Sequence, residues 1–292
     1  MSPERVERGR YIFTVLADCD SCHSQRDFSK VGGPVVLSGR GQGNLLSSFV
    51  VGMPGTVVAP NLTPDKETGL GTWTDGDKIR AIREGVDKDG RALFPMMPYQ
   101  GFAKMSDYDV ESLVAYLNTL PPVRNLLVPT QLAFPVNLMI KSVPKPVGSV
   151  PGPNRSDKLK YGEYLVAVAG CGGCHTRAEK GQPVKGMEFA GGEVFDTTSG
   201  KVLSANISQD LETGIGKWNE EQFLKKFYDF KEYAASGPPK LAGPESFTLM
   251  PWLTFSQLTP EDLSAIFTYL RTVKPVYNYV ETHPGVKTSA SK

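Results

Sequence analysis

Apolar residues fall into short helical stripes separated by polar stretches rich in glycine and proline, and the stripes come in matching pairs. Tyr11, Ile12, Val15 and Leu16 share one helical face, and Tyr164, Leu165 and Val168 repeat that face in the second half of the chain. Ser106 ahead of Asp107 and Asp109 predicts a capped helix start with an acidic first turn, running on through Leu113, Tyr116 and Leu117. Thr259 ahead of Pro260, Glu261 and Asp262 predicts its twin, continuing through Leu263, Ile266, Phe267 and Leu270. Short helices are expected after Trp73 and Trp218. Strand signals are few.

The pairing extends to whole blocks. "NLTPDKETGLGTW" (61–73) aligns with "NISQDLETGIGKW" (206–218), and "MPYQGFAKMSDYDVESLVAYL" (97–117) aligns without a gap with "MPWLTFSQLTPEDLSAIFTYL" (250–270). "GRYIFTVLADCDSCH" and "GEYLVAVAGCGGCH" align with one residue of slippage. Three blocks in one order mark a tandem duplication of a unit of roughly 120 residues. Two mainly α-helical domains, 1–122 and 157–278, are therefore expected, with a proline-rich linker at 123–156 and a tail at 279–292. The linker's Leu126, Leu127, Phe134, Leu138, Met139 and Ile140 are expected to pack between the domains rather than face solvent.

Composition narrows the function classes. Among 292 residues the formal net charge is +1, which lacks the basic footprint of a nucleic-acid binder. Four basic and no acidic residues in 123–156 make the only charge asymmetry, a weakly positive middle. The longest apolar run, "LAFPVNLMI" (132–140), is too short for a spanning helix, so no transmembrane segment is expected. The N-terminus lacks a basic-then-apolar signal.

All four cysteines lie in "CDSCH" (19–23) and "CGGCH" (171–175). A zinc site needs four soft or imidazole ligands near each pair, and the chain has only three histidines, His23, His175 and His283. A thioredoxin-like pair belongs at a strand-to-helix turn of an α/β unit, and a plain disulfide does not call for a following histidine. C-x-x-C-H is the attachment signature of c-type haem. Cysteines at i and i+3 face one side of a helical turn, where they can form thioethers to one porphyrin, and the adjacent histidine is aimed at the iron. Two covalently attached haems are expected, at Cys19, Cys22, His23 and at Cys171, Cys174, His175.

The sixth ligand decides between carrier and enzyme. Met97 and Met250 each open an M-P-[YW]-x-x-F segment, 74 and 75 residues after the respective histidine, and a methionine recurring at one repeat position is the natural distal ligand. Met96 has Leu249 as its counterpart and Met53 has no matching methionine, so both read as packing residues.

These residues resemble the two-haem class I-type cytochromes c, in particular the cytochrome c subunits of membrane-associated alcohol and sugar dehydrogenases. The resemblance rests on CxxCH, "NLTPDKETGLGTWT" and "DGRALFPMMPYQGFAKMSDYDVESLVAYL". It implies two class I cytochrome c-like domains and a periplasmic electron carrier, its signal peptide removed, with Met97 and Met250 as distal ligands. Its expected partners are redox proteins: a dehydrogenase or quinol-oxidising donor and an oxidase or other cytochrome as acceptor. It also implies helix crossings at Gly9 with Tyr116 and Gly162 with Tyr269, and for Asn61, Asn206, Trp73 and Trp218 either a place near the propionates or a turn-and-packing role. Dehydrogenase subunits of this kind usually carry three haems and a membrane-attaching tail; this chain shows two motifs. The rival class is a two-haem peroxidase-like enzyme with one open iron, for which His283 is the spare imidazole. The loops "GQGNLLSSFVVGM" (41–53) and "YAASGPPKLAG" (233–243) differ between the copies, which is expected to give the two haems different exposure and potential.

Overall fold

A computed structural model describes residues 2–286. Residues 287–292 of the expected tail lie outside the described residues. The chain divides into two compact units. The first comprises Met1–Arg26, Val35–Pro153 and Ala167–Ala169; the second comprises Asp27–Pro34, Asn154–Val166 and the chain from Gly170 on.

In chain order the first unit holds α1 (Pro3–Tyr11), α2 (Cys19–His23), α3 (Asp75–Glu84), α4 (Tyr99–Phe102), α5 (Asp107–Leu117) and α6 (Val136–Met139). Its strands are the two-residue β1 (Asn44–Leu45), β2 (Gly55–Thr56), β3 (Val58–Ala59) and β4 (Gln131–Leu132). They pair antiparallel as β1 with β3 and β2 with β4. Beginning with α7 (Lys158–Val168), the later helices are α8 (Cys171–His175), α9 (Glu220–Tyr228), α10 (Lys231–Ser236), α11 (Trp252–Phe255) and α12 (Pro260–Leu270). The strands of the second unit are β5 (Ala178–Glu179), β6 (Gln182–Pro183), β7 (Val194–Thr197) and β8 (Gly200–Leu203), forming two antiparallel pairs. The architecture is mainly α, with four two-stranded ribbons.

Helix starts follow the chemistry of their caps. Ser106 Oγ accepts from Asp109 N at 3.2 Å and Thr259 Oγ1 from Asp262 N at 3.1 Å, so the expected caps of α5 and α12 are both made. Thr74 with Asp77, and Asn219 with Gln222, form reciprocal capping boxes at α3 and α9. After α1 the chain continues as a π-turn over Ile12–Leu16, closed by Ala17 N on Ile12 O at 2.8 Å. The wider winding brings Phe13 into the core beside Ile12, Val15 and Leu16, one residue more than the helical stripe predicts.

α1 crosses α5, and α7 crosses α12, at a glycine. A Cβ on Gly9 would lie 1.9 Å from Ser112 O and 2.8 Å from Tyr116 Cβ; on Gly162 it would lie 1.9 Å from Ala265 O and 3.0 Å from Tyr269 Cβ. The residue preceding each glycine reaches the same point of the partner helix. Arg8 grips Asp109 with two bonds of 2.7 and 2.8 Å, and Tyr161 Oη donates to Asp262 Oδ1 at 2.7 Å.

The proline-rich stretch is hydrogen-bonded to the first unit. Arg83 donates to Gly148 O at 2.8 Å, Val147 N to Glu84 Oε1 at 3.1 Å, and Asp107 N to Val150 O at 2.9 Å. Of the six apolar side chains expected to pack, Leu127 and Ile140 are half-buried, while four stand exposed, Leu126 at 84%, Phe134 at 78%, Met139 at 60% and Leu138 at 54%. The strap is held through its backbone, so it leaves those side chains outside.

Asp107 is clasped by Ser149 Oγ, Val150 N and Arg83, which lowers its carboxyl from the ordinary 3.8 to about 2. Its contribution to stability is complete above 3.8 and is lost as pH falls through about 2. Asp107→Asn is therefore expected to flatten the acid limb of the unfolding midpoint in that interval and leave the slope above it unchanged. Gly9→Ala and Gly162→Ala, whose new methyl meets backbone that cannot rotate away, should each cost about 3 kcal/mol or more in urea unfolding.

Candidate haem-binding sites

Each pentapeptide begins at a sharp turn. Asp18 (φ 48°) and Gly170 (φ 69°) adopt the left-handed conformation immediately before α2 and α8, so the chain breaks from the preceding helix and restarts at the first cysteine. Within the single turn that follows, Cys19 and Cys22, and Cys171 and Cys174, stand at i and i+3. Neither pair is joined by a disulfide. Burial pushes the Cys171 thiol up to about 12 and raises that of Cys19 as well, with Asp20 and Asp18 adding to the latter. Raised in this way, the Cys19 and Cys171 side chains are not activated nucleophiles.

Both histidines are held by the same contact. His23 Nδ1 lies 2.8 Å from Pro60 O, and His175 Nδ1 lies 2.7 Å from Ala205 O. A carbonyl oxygen only accepts, so Nδ1 carries the hydrogen and Nε2 keeps a free lone pair. Burial lowers both imidazole pKa values, against the opposing pull of the carbonyl, and keeps the rings neutral at pH 7. A second contact closes each ring of chain: Gly43 N donates to His23 O and Gly191 N to His175 O, both at 2.8 Å. Gly43 and Gly191 have φ of 89° and 71°, and a Cβ there would come within 2.8 Å and 2.5 Å of backbone next to the orienting carbonyl.

Pro60 and Ala205 immediately precede Asn61 and Asn206, and the repeated asparagine block secures them. Asn61 Nδ2 donates to Val123 O at 2.7 Å and Thr68 Oγ1 at 3.1 Å, while Oδ1 accepts from Thr63 N and Thr63 Oγ1. Asn206 does the same with Val276 O, Thr213 Oγ1 and Ser208 N. Asn61's two donor and two acceptor positions are thus all engaged with protein. Of the two roles expected for it, these bonds support the structural one: the amide braces the loop that carries the orienting carbonyl. Asp65 and Asp210 tighten it further, each accepting from a backbone N–H and hydroxyl three residues on, at 2.7 and 2.8 Å. Trp73 and Trp218 are half-buried at the end of this loop.

Met97 and Met250 are half-buried and share one backbone form. Pro98 (φ −81°, ψ 46°) and Pro251 (φ −78°, ψ 60°) make an inverse γ-turn in which Tyr99 N and Trp252 N donate to the methionine carbonyl, both at 2.8 Å. The aromatic residue after the proline anchors each turn differently. Buried Tyr99 covers Gly85, where a Cβ would sit 2.6 Å from its ring, whereas Trp252 stacks on Phe230 at 5.2 Å. In the first unit Leu46, Val57 and Ala59 form an apolar cluster against which Cys22, Met53, Phe94, Met96 and Leu132 pack. The segment leading to Met97 thus walls the same cluster as the first pentapeptide, and Met53 and Met96 have the packing role expected of them.

The first site also carries a buried pair absent from the second. Asp20 binds Arg40 at 2.8 Å and Ser24 at 2.7 Å, and its counterpart is Gly172. Both nitrogens of His283 are engaged, Nε2 with Phe247 O at 2.8 Å and Nδ1 with Thr282 Oγ1 at 3.1 Å. Among the described residues no three His, Cys, Asp or Glu side chains gather to hold a metal ion. The donor set at each motif is one imidazole with a free Nε2 beside two cysteines, and it fits a thioether-linked haem rather than a zinc cluster.

The family profile described as Cytochrome c matches residues 6–121 and again residues 159–274. The chain belongs to the cytochrome c family. It is similar over 282 residues, at 32% identity, to a diheme cytochrome c-type protein of Cereibacter sphaeroides, covering 93% of this chain and 86% of that protein. It is 30% identical over 279 residues to the fructose dehydrogenase cytochrome subunit of Gluconobacter japonicus, covering 92% of this chain and 52% of the subunit. It is 28% identical over 283 residues to the cytochrome c subunit of a quinone alcohol dehydrogenase from Gluconacetobacter polyoxogenes, covering 93% and 56%. The chain therefore spans about half the length of these dehydrogenase subunits. Two cytochrome c domains carry two c-type haems. No helix among the described residues is long and apolar enough to cross a membrane.

Asn61→Ala should remove four bonds from a buried loop and cost about 2–3 kcal/mol in chemical unfolding, with covalent haem loading retained. A shifted potential at unchanged stability would instead assign Asn61 to the propionates.

Proposed function

We propose that this cytochrome c is a two-haem electron carrier with histidine and methionine at both irons. His23 and Met97 ligate one iron and His175 and Met250 the other, with thioethers at Cys19, Cys22, Cys171 and Cys174. The observation that carries this reading is the repeat itself. In both copies a backbone carbonyl holds the histidine Nδ1–H, and in both a proline γ-turn presents a methionine at the equivalent position.

Bound haem supplies a one-electron iron couple. The chain's contribution is to keep the coordination sphere the same in both oxidation states. The carbonyls of Pro60 and Ala205 fix the rotation of each imidazole, so its lone pair need not reorient. The thioethers of Met97 and Met250 are soft neutral donors that favour the lower iron charge and raise the potential. The apolar wall of Leu46, Val57, Phe94 and Met96 keeps water away from the first site and works in the same direction.

The names of the relatives support a dehydrogenase as electron donor; a periplasmic or membrane-bound dehydrogenase or a quinol-oxidising complex on one side and a terminal acceptor on the other complete the proposal. Covalent attachment at C-x-x-C-H supports a periplasmic location. A peroxidase-like reading would need an open iron with an acid–base group above it, and the hydrogen bonds of His283 tie up the spare imidazole.

The oxidised protein should show the far-red charge-transfer band of methionine-ligated ferric haem at twice the intensity of a one-haem standard. Met97→Ala and Met250→Ala should each remove half of it and lower the potential of one haem. A wild-type band of half strength would mean that one iron lacks methionine.

A further inference from the structure

Met250 is reached by a much longer path than Met97. Twelve residues separate α3 from Met97, and 21 separate α9 from Met250. A connection of the second length, with only α10 and one 3₁₀ turn of its own, needs outside support to present a side chain in one place. Its buried anchor is Phe247, three residues before Met250, in the position that Phe94 holds before Met97.

Three separate segments of the second unit converge on this stretch. The loop Asp27–Pro34 comes from the first copy of the repeat by sequence and belongs to the second unit by contact. It pairs with the stretch as a short ribbon: Val31 N donates to Pro239 O at 3.0 Å and Leu241 N to Ser29 O at 2.9 Å. The Phe28 ring lies 6.2 Å from that of Phe247, and Gly32 (φ 72°) abuts Leu253, which a Cβ would meet at 2.9 Å. From the C-terminal side, Thr282 O is bound by Leu203 N of β8 at 2.9 Å, and His283 Nε2 donates to Phe247 O at 2.8 Å. From the β7–β8 turn, Gly200 approaches so closely that a Cβ would stand 3.1 Å from the Phe247 ring. The ring and the carbonyl of one residue are thus held by side chains remote in sequence.

We propose that Phe28 and His283 are positioning residues for Met250. His283 fixes the Phe247 carbonyl and Phe28 the Phe247 ring, and together they set where the following three residues place the thioether. The inference rests on Met250 being the distal ligand of the second haem. Both act through Phe247. They act by making the methionine-on conformation of the loop the dominant one, so that an added ligand must first displace it.

The test uses the two-haem protein and imidazole as competitor, followed at the methyl NMR resonance of each methionine. His283→Ala and Phe28→Ala should each raise the apparent affinity of imidazole for the second site about three- to tenfold, the range set by losing one hydrogen bond or ring contact. The Met97 signal should titrate as in the wild type, which also shows that the variants are folded. His283→Gln, which keeps an N–H donor, should recover most of the effect. Wild-type titration at the second site in both alanine variants overturns the proposal while Met250→Ala still abolishes that resonance. If Met250→Ala leaves the far-red band at full strength, the ligation reading falls, and the clamp falls with it.

Discussion

A fixed hydrogen-bond acceptor for one nitrogen of a neutral imidazole sets which nitrogen is left for a metal and how the ring is turned, and in both units that acceptor is a main-chain carbonyl, from Pro60 or Ala205. Much of the surrounding fold keeps that carbonyl in place. The residue after it is the asparagine whose amide ties the loop to Val123 or Val276, beyond the last helix of the unit. The glycine facing the carbonyl, Gly43 or Gly191, binds the histidine's own backbone. Each loop is closed by a carboxylate turn at Asp65 or Asp210 and by glycines so close to backbone oxygens that no side chain fits: a Cβ on Gly69, Gly71, Gly214 or Gly216 would come within 2.4 Å of one. The block most alike between the copies is therefore a brace, and its product is the direction of one lone pair.

The same economy appears at the helix crossing. Gly9 and Gly162 let backbone touch backbone, and the next contact along, at Asp109 or Asp262, is satisfied by an arginine in one copy and a tyrosine in the other. An ion pair and a hydroxyl hydrogen bond differ in desolvation cost and strength, yet each leaves no bare carboxylate beneath the crossing. What the fold demands at that point is a donor of suitable reach.

Much of this was legible in the chain. The capped starts of α5 and α12 and the two pentapeptides follow from residue types at fixed spacings, and the two crossings from the family resemblance. Phe13 escaped the helical stripe because the π-turn changes the period on which the stripe is counted. Pro60 and Ala205 escaped because they act through the carbonyl, a group every residue has. Their neighbours held a usable signal: "PVRN" (122–125) and "PVYN" (275–278) extend the repeat past the last helix, and Asn125 and Asn278 both bind main chain there. The sequence left Asn61 between a propionate-facing role and a turn-and-packing one, because the two look alike until donors and acceptors are counted, and its four protein hydrogen bonds support the second. The exposed Leu126 and Phe134 show an error of another kind, for a strap held by its backbone has no need to bury the apolar side chains it carries.

The two sides of each site answer to different physics, and that accounts for where the copies diverge. On the histidine side the contacts are main chain to ring and main chain to main chain, so proline in one copy and alanine in the other give bonds within 0.1 Å of the same length. On the methionine side only the γ-turn is backbone. What anchors it is side-chain packing, Tyr99 against Gly85 in one unit and Trp252 against Phe230 and Phe227 in the other. Packing depends on volume and shape, so a longer loop must recruit new surfaces to hold its end still. The second unit has done so with residues from an earlier loop and from the tail, so that the stability of this loop and, in the proposed ligation, the hold on Met250 depend on the same contacts.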